Sequence, residues 1–366
     1  MKKTILKSAV LIMVIILMAM LATVGCKTTT TETTAAAAET TAAAAETTAA
    51  AETTKKLVFG NIPAALSDEW NGYSVENFLY AADKMGVEVQ VLDPAWDDTK
   101  ALASLEDLIT KKVDAVGVFV LTPESAQKFA TIASEAKMPL AFENTDVMKS
   151  VTGDFLFCVN EDYFAESYDA TKYIIDNKLG TKLLFLRGAP GMGIVEACLE
   201  GVEKAIADFG GLELAGYRDT QWETKSAQDA AADFIQSGEE FDVIFCQNEP
   251  VARGAINALR DAGIEGVNIV ASNGSPNGLE MIKKGEIVAT ASVPVSLQGL
   301  YLFKAMYLYV TKGLVPPAKH IVIDDMMIDK SNVDDAISWI PSDNLIELIG
   351  GLENWDTKGY GQYLNE

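Results

Sequence analysis

The chain has 366 residues, with 52 Asp and Glu against 29 Lys and Arg and a formal net charge of −23. Acid in such excess is repelled by phosphate backbones, which argues against nucleic acid as a partner, while 49% apolar residues suffice for a globular core of one or two domains. A single histidine, His320, removes most histidine-based options: a Ser–His–Asp triad is not expected, a multi-histidine zinc site and a histidine facial triad cannot be built, and neither metal nor cofactor is expected.

At the start, Lys2, Lys3 and Lys7 precede an almost unbroken apolar run over 9–25, the two opening regions of a secretory signal. The run closes on Leu21, Ala22, Thr23, Val24, Gly25 and Cys26, which resembles a bacterial lipoprotein signal, with Thr23 where Leu is usual. The resemblance implies removal of residues 1–25 and acylation of the Cys26 thiol, which gives a lipid anchor in a membrane. An uncleaved spanning anchor is the alternative, since the run is close to the minimum spanning length. Residues 27–54 contain only Lys, Thr, Ala and Glu, with nothing to bury and no apolar seam for a coiled coil. We read 26–54 as a solvated tether with an end-to-end distance of about 30 Å if flexible.

From residue 55 onward one rhythm dominates. Short β-rich runs occur at 57–62, 87–92, 113–120, 140–142, 155–159, 182–186, 243–247 and 268–271. Amphipathic stretches separate them. Over 73–85, residues Tyr73, Phe78, Ala81, Ala82 and Met85 share one helical face, and 295–312 reads as a largely apolar helix containing Lys304. Several runs are apolar throughout, as in sheets covered on both faces. Repeated units of this kind predict an α/β fold with doubly wound parallel sheets. The units are about twice as many as one such sheet needs, so two such domains are expected. Cys158, Cys198 and Cys246 are widely spaced without a Cys-x-x-Cys pair and imply no metal or redox site. Cys158 and Cys246 read as small core residues.

Chemistry in such sheets gathers where strands end at their carboxyl edge. There the sequence places Asp68, Glu69, Trp70 and Asn71, then Glu143, Asn144 and Thr145, then Asn248 and Glu249, then Asn273. Carboxamides and carboxylates make paired hydrogen bonds to adjacent hydroxyls, and an aromatic face covers the apolar side of a sugar ring. Each of these residues taken alone reads first as a helix N-cap, and it is the recurrence of side-chain amides at the edges of two sheets that points to a site. Gly188, Gly191 and Gly193 lack both the Lys–Ser/Thr of a phosphate loop and the dinucleotide spacing, and read as a tight turn. Trp96, Trp339 and Trp355 read as packing residues.

Four stretches carry a family likeness: 82–87 with 91–93, 188–191 with 199–201, 243–249 with 254–259, and 272–278 with 285–291. Through them the chain from about 55 to 332 resembles periplasmic sugar-binding proteins of the ribose-binding type, the substrate-binding lipoproteins of ATP-driven (ABC) importers. The resemblance implies the type I periplasmic binding fold, two lobes joined by a three-strand hinge. It assigns 55–159 plus 294–318 to one lobe and 160–293 plus 319–340 to the other, with crossings near 160, 292–294 and 319–321. It leaves 341–366 as an extension without a role. It also implies a monomer that meets an ABC transporter permease, outside the cytoplasm, with no catalytic residue.

Carried over by position, the resemblance makes Trp70 an aromatic platform beside Asp68 and Asn71, and Trp222 a second aromatic wall. Asn144, Thr145, Asn248 and Asn273 become polar ligand contacts. Three positions depart: Cys198 stands where the family has Arg, Val120 where it has Asn, and Val293 where it has Gln. Each missing partner leaves a sugar hydroxyl unpaired, at a cost on the order of 1–3 kcal/mol. The expected ligand is therefore a small neutral molecule: a sugar, a deoxy-sugar or something nucleoside-like. A sensor docking on a receptor and a hydrolase using Asp68 or Glu143 are the alternatives, although no carboxylate pair is fixed by the pattern.

Overall fold

In a computed structural model, which describes residues 56–144 and 151–364, the apolar runs become two sheets. The chain opens with β1 (Val58–Ile62), α1 (Glu69–Met85), β2 (Glu88–Val91), α2 (Asp98–Lys111), β3 (Ala115–Val118), α3 (Pro123–Ala136), β4 (Leu140–Glu143) and β5 (Phe157–Glu161). It crosses over and builds α4 (Tyr163–Asp176), β6 (Lys182–Arg187), α5 (Ile194–Phe209), β7 (Glu213–Asp219) and α6 (Thr224–Ser237). The same lobe continues with β8 (Val243–Cys246), α7 (Glu249–Ala262), β9 (Asn268–Asn273), α8 (Pro276–Lys284) and β10 (Ala289–Ser292). Then come α9 (Val295–Lys312) and β11 (His320–Ile323) in the first lobe, β12 (Met326–Asp329) in the second, and α10 (Asp343–Leu348) and β13 (Gln362–Leu364) in the first. Cys26, the tether and Thr145 lie outside the described residues.

The first sheet runs β13-β11-β5-β4-β3-β1-β2 and the second β12-β10-β9-β8-β6-β7. Pairing is parallel throughout except at one edge of each sheet, where β13 and β12 run antiparallel to β11 and β10. The fold is thus the expected pair of doubly wound α/β lobes. Strands β3, β4, β5 and β8 are buried along their whole length, because helices cover both faces. The strands without an apolar run escaped the sequence reading. β7 is an edge strand with no fully buried residue, β10 is Ala-Thr-Ala-Ser, and β12 and β13 are short edges.

The expected third crossing moves. Ile321, Val322 and Ile323 pair with Val159, Asn160 and Glu161 of β5, so residues 319–323 belong to the first lobe and the chain crosses at Asp324 and Asp325. The segment after β12 does not stay in the second lobe either. Val333 still packs into the second-lobe core, but Leu345, Ile349 and Leu352 join the core of the first sheet. That makes a fourth passage between lobes and gives 341–364 a place: it covers the first lobe. The buried Lys304 on α9 explains why the cover is needed. Its ammonium donates to the Ile349 carbonyl at 2.7 Å and lies 4.3 Å from the Trp355 ring centre. Burial still pushes its pKa down to about 8.

Helix α1 begins at Glu69, earlier than its apolar face over 73–85 predicts, because Asp68 caps it by accepting the Asn71 N–H at 3.0 Å. The helix ends at Gly86 in the left-handed conformation. α1 packs on α9 with almost no gap at Gly299, where an added Cβ would stand 2.1 Å from the Ser74 carbonyl oxygen. A backbone oxygen cannot swing aside, so the two helices would have to separate. Gly299→Ala is therefore expected to destabilise the protein by about 1–3 kcal/mol, read as a lower denaturant midpoint in equilibrium unfolding.

Candidate functional site

The carboxyl edges of both sheets face one cavity with an empty volume, open solvent included, of about 410 Å³. Six lining residues come from each lobe: Asp68, Trp70, Asn71, Trp96, Phe119 and Asn144 from the first, Tyr163, Met192, Ile194, Trp222, Asn248 and Asn273 from the second.

On the first lobe, a hydrogen-bonded turn after β1 sets the wall. Asn71 donates through Nδ2 to Asp68 Oδ1 at 2.8 Å and accepts the Ala64 N–H through Oδ1 at 3.0 Å. Trp70 sits between them and meets Phe119 edge-on, ring centres 5.9 Å apart. Its indole N–H is buried without a hydrogen-bond partner among the described residues. Trp96 is held by a 2.8 Å bond from its N–H to the Ala64 carbonyl. Asn144 follows β4 in the left-handed region, φ 52°, and its Oδ1 accepts the Tyr163 hydroxyl at 2.6 Å.

On the second lobe, Asn248 caps α7, its Oδ1 accepting the Val251 N–H at 2.8 Å, while its Nδ2 donates to the Trp222 carbonyl at 3.1 Å. The Trp222 ring lies against Gly188, where a Cβ would approach to 2.1 Å. Only glycine leaves that indole its seat. Asn273 ends β9 at φ 94°, and its carboxamide has no hydrogen-bond partner among the described residues. The loop behind it is fixed by Glu249, whose Oε1 accepts the Gly274 N–H at 2.7 Å and the Thr290 hydroxyl at 2.8 Å. Burial pushes the Glu249 carboxyl up to about 7 against the pull of these donors.

Of the residues singled out from sequence, Asp68, Trp70, Asn71, Asn144, Trp222, Asn248 and Asn273 all line this cavity. Thr145 lies outside the described residues. Trp96, read as packing, also lines it, as do Phe119, Tyr163, Met192 and Ile194. Trp96 follows the strand over 88–91 and was findable by the same strand-end rule. Met192 and Ile194 carry no polar signal. Val120, Cys198 and Val293 are buried in the lobe cores and add nothing polar to the cavity wall. Glu143 is buried behind it, bonded to the Ser74 hydroxyl, with its carboxyl pushed up to about 7 by burial.

The lobes touch around the cavity. Asn277 at the start of α8 donates to Glu69 Oε1 at 2.9 Å, Tyr163 reaches Asn144, and Met192 packs on the cluster containing Trp70 and Phe119. At the crossings, Glu161 and Asp325 are pushed up to about 7 and about 6 by burial and by neighbouring acids. Glu166 beside them is raised further for the same reasons.

Residues 59–313 match the family model described as the periplasmic binding protein domain. The chain belongs to that family. It is 25% identical over 210 residues to the ribose import binding protein of Salmonella typhimurium, covering 57% of this chain and 70% of that one. It is 27% identical over 271 residues to the xylitol-binding protein of Mycolicibacterium smegmatis, covering 72% and 75%. A solved structure from Mycobacterium smegmatis in complex with β-D-fucofuranose superposes with a TM-score of 0.73 at 17% identity, over 84% of this chain and 99% of that one. The membership implies a location outside the cytoplasm. Among the described residues no helix is long and apolar enough to cross a membrane.

Two outcomes follow for this periplasmic binding protein. Asn277→Ala removes the bond at the cleft rim, so the ratio of open to closed protein should rise by about twofold to tenfold, read as a larger radius of gyration by small-angle scattering of the unliganded protein. Glu249 ionises near pH 7 when folded and has a reference pKa of 4.5. The stability it contributes is therefore full below about pH 4.5 and is lost as the pH rises to about 7. Glu249→Gln, which keeps the accepting oxygen, should be near neutral at pH 5 and stabilising by on the order of 1–3 kcal/mol at pH 8, measured by urea unfolding at both pH values.

Proposed function

We propose that the protein captures a small neutral, sugar-like solute between its lobes outside the cytoplasm and delivers it to the permease of an ABC importer. The observation that carries this reading is the composition of the cleft. Among the described lining residues, three indoles and four carboxamides converge from two lobes, with Asp68 the one carboxylate and no Lys or Arg. Indole faces suit the C–H faces of a ring, and carboxamides suit its hydroxyls. Among these residues a charged solute would find no counter-ion, apart from a cation at Asp68. Relatives named for ribose and xylitol and a fold neighbour holding β-D-fucofuranose support the same solute class.

Closure follows from differential affinity. A solute that contacts both lobes binds the closed form better than the open one and so shifts the population toward the form a permease would read. The protein is no glycosidase in this reading, since cleavage uses two carboxyl groups flanking the bond and Glu143 is buried behind the wall. The proposal includes a monomer held to the membrane by a lipid on Cys26, with 26–54 as the spacer. The missing polar groups at Val120, Cys198 and Val293 favour a solute with fewer hydroxyls to satisfy than a pentose presents.

A thermal-shift screen over D-ribose, D-allose, xylitol, myo-inositol, deoxy-sugars and nucleosides tests the solute class. At least one is expected to raise the melting temperature, and none doing so rejects the reading. Trp70→Ala and Asn273→Ala, one from each lobe, should each weaken binding of that compound about tenfold or more. Asn273→Ala should leave the unliganded melting curve nearly intact, whereas Trp70→Ala, a truncation within a buried cluster, should also lower the melting temperature. Unchanged calorimetric affinity in both would remove these residues from the site.

A further inference from the structure

The segment beyond β12 lies outside the residues that match the family, yet it carries Trp339, which is among the largest fully buried side chains described. It is pinned from two sides. Asn77 of α1 donates to the Trp339 carbonyl at 2.7 Å, and Ser296 of α9 donates to the Ser338 carbonyl at 2.8 Å. The indole meets Tyr73 of α1 edge-on, ring centres 5.6 Å apart.

Where this ring goes is informative. Leu345, Ile349 and Leu352 of the same segment join the main core of the first sheet. Trp339 instead completes a separate buried cluster with Ala64, Trp70, Phe119 and Val295. Trp70 and Phe119 line the cleft, Ala64 supplies the N–H that fixes Asn71, and Val295 opens α9 immediately after the second crossing. The indole N–H groups of both Trp70 and Trp339 are buried without a partner among the described residues. A core selected for stability alone avoids that cost by using Phe or Leu.

We propose that Trp339 is a positioning residue for the cleft: a wedge that fixes the Trp70 platform and the Asp68–Asn71 turn before any solute arrives. The proposal rests on the binding reading of the cleft. Its physical content is preorganisation, since a platform held in one place has less freedom to lose on binding.

The experiment compares the full chain with Trp339→Ala, Trp339→Phe and Leu352→Ala. Leu352 belongs to the same segment but to the other core, so its truncation reports loss of stability without loss of the wedge. Hydrogen exchange across 64–74 reads the platform with no solute present. Trp339→Ala is expected to speed exchange there by about tenfold, Trp339→Phe to restore most of the protection, and Leu352→Ala to leave it unchanged. Should Trp339→Ala not fold, Trp339→Leu takes its place in the same comparison. Equal protection in the wild type and the Trp339 variant overturns the proposal, and so does equal acceleration by Leu352→Ala. Calorimetric titration with xylitol or D-ribose separates the two readings. A wild type that binds neither sugar weighs against the solute class, while the exchange result still decides whether Trp339 holds the platform.

Discussion

Every parallel strand in a doubly wound sheet hands its chain to a helix whose first N–H groups have no partner within the helix. That constraint shapes the molecule more than any other. Polar side chains must stand at the carboxyl edges of both sheets to satisfy those groups, and the two edges face each other. Asp68 and Asn248 show how the requirement becomes a site. Each has an oxygen committed to a helix N–H, and each also lines the shared cavity. A helix cap and a cavity-lining residue are therefore not exclusive: the cap itself holds the side chain at the cavity wall.

The same logic explains the division of labour among the amides. Asn71 spends its carboxamide on Ala64 and Asp68, and Asn144 accepts from Tyr163, so both define the wall more than they offer bonds to a guest. Asn273 is different. Its backbone is held in a conformation uncommon for a non-glycine residue, and Glu249 anchors the next residue in the loop. The effort spent on the loop leaves a carboxamide at the cavity without a hydrogen-bond partner among the described residues.

Much of this was legible in advance because it lies in local signals. The eight β-rich runs each fall on a strand, and the strand-end rule led to six of the lining residues, Trp222 being reached only through the family resemblance. The misses have a common physical source. Strands β7, β12 and β13 are edges and need no apolar run. Met192, Ile194 and Phe119 reach the cavity through packing that no spacing reveals. The third crossing was misplaced because β11, His-Ile-Val-Ile, is short and isolated, and its pairing with β5 over a long sequence separation is invisible locally.

The C-terminal segment was unreadable for a deeper reason. Its residues are ordinary, and their meaning lies in what they complete. Lys304 is a cation in an apolar helix, an arrangement that is costly alone, and the Ile349 carbonyl and the Trp355 face offset that cost. Tyr301 is equally incomplete without the Tyr360 carbonyl and the Tyr363 hydroxyl. These polar groups on α9 face inward and the segment returns to meet them, so α9 and 341–364 share one core. Since α9 abuts α1 through Gly299 and α1 begins at the cleft, the chain's last residues bear on the geometry of a wall built from its first strand.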